Sequence, residues 1–105
     1  MAFQPIAREA SARRVEVAKG TSAVDYAAAE GIPTVLIGHR MAPELTFDEN
    51  VRLFAEGCAP VAAHAERKAV HLVLENWAAD GQNLAYAPAR WEAIFDALPS
   101  DAFGL

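Results

Sequence analysis

"YAAAEGIPTVLIGHRM", residues 26–41, admits two backbones. As helix, tight turn and helix it is a DNA-reading element. As helix, loop and strand it is one arm of a small α/β sheet, and no second helix remains to enter a groove. Gly31 suits the turn in either case, because a residue without a Cβ takes a positive φ at little steric cost. "TVLI" (34–37) is β-branched and apolar, as a buried strand is, yet it is too short for its periodicity to decide.

The whole chain narrows the choice only in part. It has 105 residues, one domain's worth, and 53% of them are hydrophobic, enough for a single core. Nine Lys and Arg stand against fourteen Asp and Glu, for a formal net charge of −5. An acidic chain is repelled by nucleic acid and by anionic membrane, so any DNA contact has to come from a local patch. Residues 1–45 hold five basic and five acidic side chains, and the excess of acid lies entirely in residues 46–105. Cys58 is the one cysteine, so no intrachain disulfide forms, as in a reducing compartment. No apolar run approaches a membrane span, and "MAFQPIAREASARR" (1–14) lacks the apolar stretch of a secretory signal. The expected location is cytoplasmic.

Along the chain, Pro5 opens a helical pattern near 6–18 that Gly20 would end. "VEV" (15–17) could instead be a short alternating strand. Thr21 and Ser22 are N-caps for a helix over 22–30. "TFDE" (46–49) is a capping box, predicting a helix over 47–56 that Gly57 stops. "GCAP" (57–60) reads as a linker. A long helix is expected over 61–79, burying Leu72, Val73 and Trp77, and "ADGQ" (79–82) breaks it. A last amphipathic helix over 88–98 carries Trp91, Ile94, Phe95 and Leu98 on one side. "PSDAFGL" (99–105) reads as a loose tail. The chain then divides into a half over 1–57 and an acidic helical hairpin over 60–98, within one domain.

In the helix–turn–helix reading Ala27 is the small contact residue, Gly31 the turn, Ile32 the core plug and Ile37 the anchor of the second helix. "AAAEGIP" (27–33), "LIGHRM" (36–41) and "TFDE" together resemble short helix–turn–helix modules of phage and mobile-element proteins. The resemblance covers residues 22–56 and implies a mostly α fold, a small helical bundle with a helix–turn–helix at 22–41. It also implies that Thr34, His39 and Arg40 face a major groove. Leu36 and Met41 depart from the Thr and Leu of that pattern, and Gly38 falls in mid-helix, at a cost of about 1 kcal/mol. The alternative is α+β: a short βαβ unit at 14–38 with strands over 14–18 and 33–38.

On a helix over 61–79, His64, His71 and Glu75 share a face, but Arg67 and Lys68 share it too and disfavour a metal, so no metal or other cofactor is expected. Cys58 in an Ala/Pro-flanked segment reads as a packing residue. No phosphate-cradling loop, paired carboxylates or Ser-His-Asp set stands out, and no catalytic residue is assigned. The chain is therefore expected to be a non-enzymatic DNA-binding or regulatory protein. Arg13, Arg14 and Lys19 would meet duplex phosphates, and Thr34, His39 and Arg40 the groove. The alternative is an adaptor or inhibitor whose acidic half binds a basic protein surface, anchored by Trp77, Trp91, Phe95 and Phe103. That half could also pair two copies into a homodimer.

Overall fold

A computed structural model describes residues 3–74, 83–85 and 88–104. The elements alternate: α1 (Ala10–Glu30), β1 (Thr34–Leu36), α2 (Phe47–Lys68), β2 (His71–Val73), α3 (Pro88–Ala97) and β3 (Phe103–Gly104). The fold is mixed α/β rather than a helical bundle, so the mostly α expectation is corrected.

The deciding stretch is a strand. Pro33 disfavours the helical region for Ile32, and the branched Thr34 and Val35 suit a pleated ribbon. Gly31 ends α1 at φ 70°, and the Ile32 N–H reaches back to the Ala27 carbonyl at 2.8 Å, which satisfies the frayed helix end. With 34–36 extended there is no second helix, and the helix–turn–helix is lost.

The expected strand at 14–18 is also absent, because those residues lie inside α1. Gly20 does not stop that helix. It is buried within it, and a Cβ there would stand 2.9 Å from Val61 Cγ2 and 3.1 Å from the Phe3 ring. The glycine serves close packing of α1 on α2. Gly57 plays the same part in α2: an added Cβ would lie 2.5 Å from the Pro5 carbonyl oxygen. "GCAP" is therefore helix, not linker, and α2 runs through Pro60 to Lys68.

The capping box at the start of α2 forms as expected. Glu49 N–H donates to Thr46 Oγ1 at 3.1 Å, and Thr46 N–H to Glu49 Oε1 at 2.9 Å. The helix ends on Ala69 at φ 56°, an alanine in the left-handed region. The chain then enters β2, so the helix expected over 61–79 is cut short. Leu72 is fully buried, Val73 half-buried, and Trp77 and Glu75 fall outside the described residues. Residues 103–104 are a strand rather than part of a loose tail.

The strands β1, β2 and β3 are parallel, in the order β1-β2-β3. A further parallel bridge joins Phe3 to Ile37, on the sheet edge before β1. Among the described residues spatial order thus equals chain order, with one helix between each β position and the next. Val35 pairs with Leu72 and Leu72 with Phe103. These buried side chains share a core with Val24 and Ala27 of α1, Val61 and Ala65 of α2, and Ile94 of α3. Thr34, Leu36 and His71 alternate to the other side and are exposed. One face of the sheet is covered by helices and the opposite face is open among the described residues. Among the described residues no helix is long and apolar enough to cross a membrane.

Candidate functional site at the strand ends

Each β position of a parallel sheet delivers the residues that follow it to one common end. Here that end collects Gln4 after Phe3, Gly38 to Met41 after β1, and residues 83–85 downstream of β2.

His39 is buried, with 2% of its surface exposed. It is held by the returning segment. The Leu84 N–H donates to the His39 carbonyl at 2.7 Å. The Ala85 N–H donates to His39 Nδ1 at 3.2 Å, and Arg40 bridges Asn83 in antiparallel fashion. A nitrogen that accepts carries no proton, so the hydrogen of the neutral ring sits on Nε2. Trp91 Nε1–H donates to the Ala85 carbonyl at 3.3 Å and anchors the same segment to α3. Arg90 lies over the Phe47 ring, 4.8 Å from its centre, and reaches Met41 Sδ and the Asn83 carbonyl at 3.5 Å each.

The loop between β1 and α2 is fixed from below by Asn50, which is 1% exposed. Its Oδ1 accepts from the Ala42 N–H at 2.7 Å. Its Nδ2 donates to the carbonyls of Ala42 at 3.1 Å and Thr46 at 2.8 Å. Sequence reading passed over Asn50, although an Asn in the first turn after a capping box can reach back in this way. Gln4 was also missed: nothing in "FQP" marks a residue that meets its partners only through the sheet.

The predicted site residues do not gather on one surface. Arg13 turns inward and donates to the carbonyls of Ala7 at 2.8 Å and Arg8 at 2.7 Å. Arg14 is exposed on α1, and Lys19 pairs with Glu16 at 2.7 Å. Thr34 begins β1 while His39 and Arg40 follow its far end, roughly 16 Å away at 3.3 Å per residue. His39 is inside the protein, not on a groove-facing surface. Phe103 is buried and stacks obliquely on Phe54 and Phe95, at 5.8 and 5.3 Å between ring centres. Phe95 and Trp91 are partly buried against the core.

His64 and His71, placed on one helix face by the sequence, lie on different elements. His64 Nε2 meets Asp25 Oδ1 at 2.6 Å, tying α2 to α1. That hydrogen bond holds the Asp25 carboxyl below its ordinary range. His71 begins β2. Among the described residues no three His, Cys, Asp or Glu side chains gather to hold a metal ion. Burial pushes the Cys58 thiol far up, so it stays protonated and inert as a nucleophile.

Over residues 1–105 the chain matches the family described as Xylose isomerase-like TIM barrel. The chain belongs to this family. The match overturns the resemblance to phage-type helix–turn–helix modules, and with it the DNA-binding regulator. It gives the adaptor alternative no support either. It also overturns the expectation of a non-enzyme, because the Xylose isomerase-like TIM barrel family is typically enzymatic. No curated protein and no solved structure matches.

Proposed function

We propose that this chain forms part of a (β/α)8 barrel enzyme, and that its strand ends contribute to the mouth where a small sugar-like substrate is rearranged. The observation that carries the reading is the singly wound order: Phe3, β1, β2 and β3 lie side by side, all parallel, in chain order. Repeating that step closes a barrel of eight strands, with helices outside and alternating side chains inside. On this reading Thr34, Leu36, His71 and Val73 point to the barrel interior. Enzymes of this architecture work at the C-terminal ends of the strands, the end that holds Gln4, His39 and Arg40.

His39 is the side chain best suited to chemistry there. Its ring is held in one tautomer by the Ala85 N–H, and an imidazole fixed in this way orients a hydrogen-bond donor at the strand ends.

The test is interconversion of aldose and ketose pairs, from three to six carbons, followed by proton NMR in deuterium oxide. Interconversion is expected for at least one pair. His39→Asn keeps an oxygen to accept the Ala85 N–H but removes the ring, and the rate should fall by about 10²-fold or more. No interconversion of any pair, or an unchanged rate in His39→Asn, overturns the proposal.

A further inference from the structure

The outer face of α1 is not the charged face of a solvated helix. Ser11, Val15, Ala18, Ser22, Tyr26 and Ala29 follow one another at steps of three or four residues, so they form one stripe along the helix. All six are exposed. The stripe lies opposite Gly20, Val24 and Ala27, which α1 buries. Val15 keeps 57% of its surface in solvent and Tyr26 keeps 64%. A lone exposed apolar residue is ordinary. Here two share a stripe whose other members are only Ser and Ala, and among the described residues nothing covers it.

The charges beside the stripe run against the helix. The first half, residues 10–20, carries Arg13, Arg14 and Lys19 against Glu16. The second half, residues 21–30, carries Asp25 and Glu30 and no base. The first turn holds no acid and the last turn no base. Cations toward the N-terminal end and carboxylates toward the C-terminal end both oppose the helix dipole. An antiparallel copy of the same helix answers this arrangement, because it lays each basic half along an acidic one. Lys19 and Asp25 already meet Glu16 at 2.7 Å and His64 at 2.6 Å within their own chain. Arg14 and Glu30, both exposed, are the pair that a second copy brings together. When two α1 helices cross at Ser22, Arg14 comes opposite Glu30 of the second copy. Val15 then comes opposite Ala29, and Tyr26 opposite Ala18. Each large side chain meets a small one, and the small Ser22 at the crossing lets the helices approach closely.

We infer that the outer stripe of α1 is a homodimer interface, in which two copies pack antiparallel about a twofold axis at Ser22. The same patch serves both copies, as a twofold contact requires. This puts the pairing on α1 and not on the acidic C-terminal half. It leaves the strand ends free and does not depend on the barrel reading.

The test is the oligomeric state of the full chain. One helix pair buries less than the roughly 1,200 Å² of a standard interface, so a dissociation constant on the order of 10–100 μM is expected. Sedimentation equilibrium carried to about 1 mM reads it. Tyr26→Glu should weaken the dimer about a hundredfold or more, since symmetry removes the anchor twice, and should leave the far-ultraviolet circular dichroism unchanged. Arg14→Glu should weaken it about tenfold, through two exposed pairs turned repulsive. Adding Glu30→Arg to Arg14→Glu should restore the affinity, because the attraction is rebuilt with its signs exchanged. Ser22→Cys should cross-link into a covalent dimer in a glutathione buffer. Ala59→Cys, exposed on α2, should not, and Cys58 is fully buried and does not compete. A monomer throughout, or a dimer unchanged in Tyr26→Glu, overturns the proposal. So does failure of the charge exchange to restore the dimer, or cross-linking of Ser22→Cys no faster than that of Ala59→Cys.

Discussion

Replacing Gly57 by Ala tests whether α2 is one helix pressed against Pro5 or two pieces joined by a linker. In an unobstructed helix interior the change stabilises by about 1 kcal/mol, since Ala is the better helix former. Here the new methyl would meet the Pro5 carbonyl oxygen at 2.5 Å, the Pro5 Cβ at 3.0 Å and the Pro5 carbonyl carbon at 3.1 Å. These are not far ends of flexible side chains. Two are backbone atoms and the third is fixed in a ring, so α2 or the 3–5 segment has to move. Overpacking of this kind costs about 1–3 kcal/mol. The clash is severe, so the upper part of that range applies, and the net change is a loss of about 1–2 kcal/mol. Urea unfolding at 25 °C measures it. Ala59→Gly, exposed in the same helix, is the control and should lose about 1 kcal/mol through helix propensity alone. A linker at 57–60 would leave Ala59→Gly neutral. A neutral or stabilising Gly57→Ala, with Ala59→Gly also neutral, refutes the continuous α2.

Leu72→Ala, at the fully buried centre of the sheet, should cost about 2–5 kcal/mol in the same assay, and a loss under about 0.5 kcal/mol would mean the core is misassigned. Thr46→Ala should cost about 1 kcal/mol through loss of the capping box. Glu49 is held below its ordinary value of 4.5 by the Thr46 N–H, so its stabilisation is full above that pH and is lost as pH falls through the lower folded value. Glu49→Gln should therefore narrow the gap in melting temperature between pH 7 and pH 3, and an unchanged gap would contradict the assignment. Asn50→Ala leaves the part-buried Ala42 N–H and carbonyl without their side-chain partner. It should cost about 1–3 kcal/mol and speed amide exchange at Ala42, whereas unchanged exchange there would show that Asn50 does not hold the loop.

The elements legible in the sequence were those announced by local chemistry. Thr46 and Glu49 signal their helix start through side chains three residues apart. Trp91, Ile94 and Leu98 reveal a face at helical spacing, and Leu72 was expected in the core. The βαβ alternative also contained β1. What stayed hidden depends on distant parts of the chain. Gly20 and Gly57 look like helix ends, since glycine serves equally as a cap and as a point of close approach, and only Val61 and Pro5 decide which. Ala69 ends α2 in a conformation that alanine seldom takes, so no stop is visible before β2. "AVHLVLE" was then absorbed into a helix although His71 and Val73 alternate with Val70, Leu72 and Leu74. The site was less legible than the fold. Gln4, Gly38 and His39 belong together only once Phe3 lies beside Ile37, and nothing in residues 3–6 announces that pairing.

Through-space NMR contacts over residues 33–41 test the central claim most directly. The account predicts extended backbone there, with contacts from Ile37 to Phe3, from Val35 to Leu72, and onward from Leu72 to Phe103. Sequential helical contacts between residues three apart across 33–41, with those three pairings absent, would contradict the parallel sheet and the site built on its ends.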